Sequence, residues 1–201
     1  MTPGITAIIL AGGQGSRMGG QDKGLVYWRD KALAKHVIDC VSPQTDNLII
    51  SCNRNLEQYS QWANNICPDN LSGYQGPLAG LQAALTITRT EFSLVCACDM
   101  PQLPKDLTLR LMDSLKSMQV DICYPYDGKQ KQYLPALIST SLLGELNKYL
   151  ADGHRSIKGW YSGLRVGSAD FSDCPDAFIN INHVSTLTKD SQPHNKKPAG
   201  R

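Results

Sequence analysis

The chain has 201 residues, 41% hydrophobic and 19% charged, with a net charge of +2 from 20 basic and 18 acidic side chains. That composition suits one folded domain with a buried core. It is far from the clustered basic surface of a nucleic-acid binder, holds no apolar run of the ~18 residues a membrane span needs, and starts without the charged-then-apolar order of a secretory signal.

The first predicted element is an apolar strand, Thr6–Leu10, which stops abruptly at a glycine-rich loop. The loop runs Ala11-Gly12-Gly13-Gln14-Gly15-Ser16-Arg17-Met18-Gly19-Gly20-Gln21-Asp22-Lys23-Gly24. Glycine lets a backbone pass close to a ligand, and the N–H groups it exposes form an anion nest. Arg17 adds a planar fork and Lys23 a compact point charge, both suited to phosphate. Two common phosphate loops do not fit. Lys23 lies between Asp22 and Gly24, so there is no Gly-Lys-Ser/Thr. Gly13 and Gly15 begin a dinucleotide fingerprint, but the third glycine falls one residue late at Gly19, and positions 49–55 hold no acid for a ribose.

A helix is predicted over Ala32–Val41, a strand over Asn47–Cys52, and helices over Leu56–Ala63 and Pro77–Thr88. Asn53 follows the second strand and Asp69 precedes the helix at Pro77. Their side-chain oxygens suit the N1–H and N2–H2 donors of guanine. Gly76-Pro77 puts proline in the favoured first turn of that helix, where free N–H groups can receive phosphate or ribose oxygens; plain helix initiation explains the same residues equally well. The strand Phe92–Cys98 delivers Asp99 at its C-terminal end, before Pro101 stops pairing. Open α/β sheets bind ligands at the carboxyl ends of their strands, so Asp99 falls beside the glycine loop. Mg2+ takes one or two protein carboxylates together with phosphates and water, which makes Asp99 the candidate metal ligand. The next predicted helix, Lys105–Met118, begins too far downstream for Asp99 to cap it, and carries Leu107, Leu111, Leu115 and Met118 as one apolar stripe.

Strands are predicted at Asp121–Tyr124, Ala136–Ser139 and Phe178–Ile181, and helices at Ser141–Leu150 and Ser156–Tyr161. Asn180 and Asn182 would share one face of the last strand, there to complete a metal shell, hold a ligand, or simply end the strand as turn formers. Near-continuous apolar strands alternating with helices predict a three-layer α/β/α domain over residues 1–188, with a mostly parallel central sheet and right-handed crossovers. Residues 189–201 are polar and predicted to be a disordered tail. The seven cysteines are odd in number and include no Cys-x-x-Cys. They are expected as reduced core thiols of a cytoplasmic protein. Cys96 and Cys98 face one way from their strand, but no further cysteine or histidine cluster accompanies them as a metal site.

Together these segments resemble the molybdenum cofactor guanylyltransferase (MobA) family of nucleotidyltransferases. The resemblance spans Ile5–Leu187 and rests on Leu10, Gly12, Gly13, Arg17, Met18, Gly19, Asp22 and Lys23, on Gly76–Leu81, on Cys98-Asp99-Met100-Pro101 with Leu103-Pro104, on Tyr149–Ser156 and on Phe178–Asn182. It departs at His183-Val184, where the family usually has Thr-Pro. The resemblance implies a nucleotide-diphospho-sugar transferase-like (Rossmann-like) fold. It implies transfer of GMP from GTP to the terminal phosphate of molybdenum-molybdopterin, with release of diphosphate and with Mg2+ as cofactor. Arg17, Lys23 and Asp99 would then carry the reaction. Leu10, Ala11, Gly12, Gly13, Lys23, Asn53, Asp69 and Asp99 would hold GTP, and Asp99 the metal. Arg155, Asn180 and Asn182 would lie on the pterin or metal side. Partners would be the two substrates and, transiently, proteins that deliver or accept molybdopterin, with no nucleic acid and no membrane. The alternatives are a cytidylyltransferase acting on the same cofactor, a sugar-nucleotide pyrophosphorylase, or a non-catalytic nucleotide-binding module. The last has no need of Arg17, Lys23 and Asp99 together. Lys23→Ala is expected to leave folding almost untouched.

Overall fold

Apolar runs in this chain are short, and each is long enough for one strand buried on both faces. The computed structural model describes residues 4–12, 21–63, 65–68 and 76–181. Its strands are β1 (Ile5–Leu10), β2 (Tyr27–Trp28), β3 (Lys31–Ala32), β4 (Asn47–Ser51), β5 (Asn65–Cys67), β6 (Phe92–Ala97), β7 (Ile122–Tyr126), β8 (Ala136–Ser139) and β9 (Val166–Asp170). Seven of them form one sheet in the order β5-β4-β1-β6-β8-β7-β9, and β2 and β3 make a small separate hairpin. Within the large sheet only β8 runs against its neighbours.

The strand period of two divides the core. Ala7 and Ile9 of β1 face α1 (Leu33–Val41) and α4 (Leu107–Met118). Ile8 faces the opposite way, toward α3 (Pro77–Ile87), α5 (Leu143–Ala151) and α6 (Ile157–Tyr161). The result is the expected three-layer α/β/α arrangement. On α4 the stripe of Leu107, Leu111 and Leu115 is buried. Met118 is 47% exposed, because the helix is ending there at Gln119, which takes a left-handed conformation. Ile9 is fully buried at the centre of the sheet. Ile9→Ala is expected to lower stability by about 2–5 kcal/mol, from lost burial and the cavity left behind, measured as a shifted urea-unfolding midpoint.

Three parts of the structure differ from the sequence pattern. Strand β5 has only three residues, too few to show a period. Strand β9 reads Val-Gly-Ser-Ala-Asp, small residues that do not look like a buried strand. It is paired along its whole length to β7, and a Cβ on Gly167 would lie 2.6 Å from the Met118 Sδ that covers it. The third is a correction: Phe178–Ile181 is not a strand. Pro175 opens a 3-10 turn over Pro175–Phe178, and the chain continues past it outside any strand. Proline's fixed φ favours such a turn start, so Asn180 lies outside any strand, and Asn182, predicted to share its strand face, lies outside the described residues. The tail at 189–201 lies outside the described residues. No described helix is long and apolar enough to cross a membrane.

Candidate active site

Strand register gathers the site. Leu10 pairs with Ser51 on one side and with Ala97 on the other, and Ser51 pairs with Cys67. Four chain segments therefore leave the sheet at one edge, about 5 Å apart from strand to strand. These are Ala11-Gly12, Cys52-Asn53, the segment after Cys67, and Cys98-Asp99. Backbone bonds hold them level: Ala11 N donates to Ser51 O at 2.8 Å, Cys52 N to Cys67 O at 3.1 Å and Cys98 N to Leu10 O at 3.2 Å. The helix α3 begins at the same edge. Its first residue follows Gly76, whose φ of +81° is ordinary only for glycine.

Asp99 turns off the end of β6 and is 6% exposed. Its Oδ2 pairs with Lys23 Nζ. Its Oδ1 is buried with no hydrogen-bond partner among the described residues. A buried carboxylate oxygen left in that state is costly, and a hard cation is the kind of group that relieves it. Asp99 also accepts, at its backbone oxygen, the N–H of Ile181 at 3.0 Å. Ile181 packs with Trp28 and Leu33, so the β2–β3 hairpin and the 3-10 turn at Pro175 are tied to the Asp99 turn. Asn180 precedes Ile181 in the chain and is itself exposed.

Lys23 opens a 3-10 turn over Lys23–Leu25. Its neighbour Asp22 caps that turn by accepting Gly24 N–H at 3.1 Å. Asp22 is itself 9% exposed and takes two side-chain donors, Tyr59 Oη at 2.7 Å and Asn55 Nδ2 at 2.9 Å. Tyr59 is fully buried on α2 (Leu56–Tyr59), and Asn55 precedes it with φ +54°, a left-handed conformation asparagine tolerates. Burial first, and the facing Cys98 and Asp22 next, push the Tyr59 phenol far above its usual range, so it stays a hydrogen donor. The motif contained Asp22, but nothing in the sequence linked Tyr59 to it across 37 positions.

The structure places Leu10, Ala11, Gly12, Lys23, Asn53 and Asp99 at one edge of the sheet. Arg155 stands at the rim beside α3: its backbone oxygen is 3.9 Å from where a Cβ on Gly76 would sit. Its Nη1 donates to Leu150 O at 2.8 Å and His154 O at 2.6 Å, capping the end of α5. Gly13, Arg17, Asp69 and Asn182 lie outside the described residues.

Residues 7–166 match the family described as the MobA-like NTP transferase domain. The chain belongs to the MobA-like NTP transferase family. It is 43% identical over 182 residues to a molybdenum cofactor guanylyltransferase of Shewanella frigidimarina, covering 90% of this chain and 93% of that one. Its fold is similar to the crystal structure of molybdopterin-guanine dinucleotide biosynthesis protein A from Archaeoglobus fulgidus, with TM-score 0.75, 24% identity and coverage of 92% and 95%. It is also similar to 4-diphosphocytidyl-2C-methyl-D-erythritol synthase from Anaerococcus prevotii, with TM-score 0.71, 16% identity and coverage of 93% and 94%. The MobA-like chain is thus a nucleotidyltransferase with the nucleotide-diphospho-sugar transferase-like fold. All seven of its cysteines are free thiols. Burial pushes the Cys96 and Cys98 thiols up, the second also through Asp99 and Asp22, which makes them poor nucleophiles. No cluster of three or more metal-ligating side chains occurs among the described residues of this MobA-like chain.

Proposed function

We propose that this chain transfers GMP from GTP to the terminal phosphate of molybdenum-molybdopterin. An oxygen of the acceptor phosphate attacks the α-phosphorus in line. The new P–O bond forms as the bond to diphosphate breaks, and diphosphate leaves. No protein nucleophile is needed, so the residues act by positioning and by charge. The observation that carries this reading is the buried Asp99 Oδ1, without a hydrogen-bond partner among the described residues, beside Lys23 at the edge where β1 ends.

In this reading the backbone of Leu10, Ala11, Gly12 and Gly13 lies along the nucleotide, and Lys23 and Arg17 offset charge on its β and γ phosphates. Asn53 and Asp69 accept from the guanine or hold the ribose. Arg155, Asn180 and Asn182 belong to the acceptor or metal side. Asp99 would hold Mg2+, which when bound would supply charge stabilisation to the phosphoryl group in transfer. The domain extends over residues 1–188. Free thiols throughout suit a reducing cytoplasm.

The test is diphosphate release from GTP with molybdopterin and Mg2+ present, against the same assay with CTP. Binding of GTP is expected to be at least about tenfold tighter than that of CTP, a gap of about 1.4 kcal/mol, read by calorimetry. CTP binding tighter than GTP would instead assign the chain as a cytidylyltransferase. Nucleotide binding without diphosphate release would leave a binding module.

A further inference from the structure

We infer that Asp22 and Tyr59 form a buried clamp that sets the position of Lys23 for triphosphate. They are positioning residues acting through the lysine rather than on the substrate. The inference rests on the reading that Lys23 binds phosphate.

Lys23 is the first residue of a turn only three residues long. A turn that short has little stability of its own. Asp22 immediately precedes it, and both of its carboxylate oxygens are engaged. Oδ1 accepts Gly24 N–H and the Tyr59 hydroxyl, and Oδ2 accepts the Asn55 amide. Charge-assisted bonds of this kind are the stronger sort. Two of the donors come from the short helix α2, Asn55 just before its first residue and Tyr59 as its last, in the segment that follows β4. The turn is therefore fastened to the scaffold, not to itself. Close packing enforces the same contact. A Cβ on Gly24 would meet Tyr59 Oη at 2.3 Å and Ala34 Cβ at 3.3 Å. Glycine is needed there for room, so that the phenol can reach Asp22. The geometry leaves Asp22 facing inward while Lys23 reaches Asp99. A clamp that fixes the backbone under a long flexible side chain spares ordering cost when the ligand binds.

The decisive experiment is a double-mutant cycle on binding of Mg2+·GTP, read by calorimetry on the full chain. Tyr59→Phe keeps the ring and removes only the hydroxyl. It is expected to weaken Mg2+·GTP binding about fivefold to tenfold in the native background, and less than about twofold when Lys23→Ala is already present, because the two act through one contact. Binding of guanosine, which has no phosphate, should not change. Asn55→Gly removes a different donor while keeping the left-handed backbone, and should show the same coupling if Tyr59→Phe folds poorly. Equal losses in both backgrounds, or a parallel loss of guanosine binding, would overturn the clamp. Were Lys23→Ala to bind triphosphate normally, the phosphate role of Lys23 would be lost, and the clamp with it. A weakened Lys23→Ala beside a silent Tyr59→Phe and a silent Asn55→Gly would remove the clamp alone.

Discussion

Asp99→Asn is expected to reduce diphosphate release by about a hundredfold or more, since charge stabilisation by a bound metal is worth several kcal/mol. The substitution keeps the size and planarity of the side chain and removes its charge. Asp99 has one oxygen on Lys23 and one buried oxygen with no partner among the described residues. An amide in that place offers a weaker ligand to a hard cation and no counter-charge to the lysine. Folding should survive. The Lys23 side chain is 24% exposed, so its ammonium can turn toward water when the carboxylate is gone. Fold and activity are then separable in one variant: the melting temperature should change little while release of diphosphate collapses. A loss of less than tenfold with an unchanged melting temperature would remove Asp99 from the reaction.

The sequence made Asp99 legible because two independent rules meet there. An apolar strand that ends on a single carboxylate is unusual, and the carboxyl edge of a parallel sheet is where ligands bind. Lys23 was legible for a similar reason, as a cation inside a loop that apolar strand β1 delivers to the same edge. The layers, and the strands β1, β4, β6 and β8, followed from apolar runs alone. Other features had no local signal. At position 167 strand β9 carries glycine because Met118 lies over it, a fact that belongs to α4 and not to β9. The turn at Pro175 was hidden because Phe178, Ile179 and Ile181 look like a strand in isolation. Phe178 instead packs edge-on against Phe171, with ring centroids 5.3 Å apart, and Ile181 against Trp28 and Leu33. The Asp22–Tyr59 bond was invisible for the most general reason. A hydrogen bond between residues 37 positions apart is set by the packing of two elements, and no spacing rule reaches that far.

Lys23→Ala is expected to have two effects of opposite sign on two ligands, together with a stability cost that its place in a loop does not suggest. A loop lysine ordinarily makes little contact with the core, and its removal would then be nearly silent. In the structure Lys23 pairs with a carboxylate that is 6% exposed. Truncation leaves Asp99 buried and without that cation, at a cost of about 1–3 kcal/mol, reduced to the extent that water reaches the gap through the partly exposed lysine site. Urea unfolding should show the loss, and Mg2+ should restore part of it by taking the position beside Asp99. With no nucleotide present, the Lys23 ammonium on Asp99 Oδ2 takes up part of the carboxylate's charge and repels a divalent cation at Oδ1. The variant should therefore bind Mg2+ alone more tightly than the native chain. Its affinity for the triphosphate should move the other way, falling about tenfold or more, because phosphate charge is left unmatched where a charged hydrogen bond was made. A general disturbance of the site would weaken both ligands together. Calorimetric titrations with Mg2+ alone and then with Mg2+·GTP distinguish the two cases. Parallel weakening would show that Lys23 supports the site only structurally, and an unchanged triphosphate affinity would end its role in phosphate recognition.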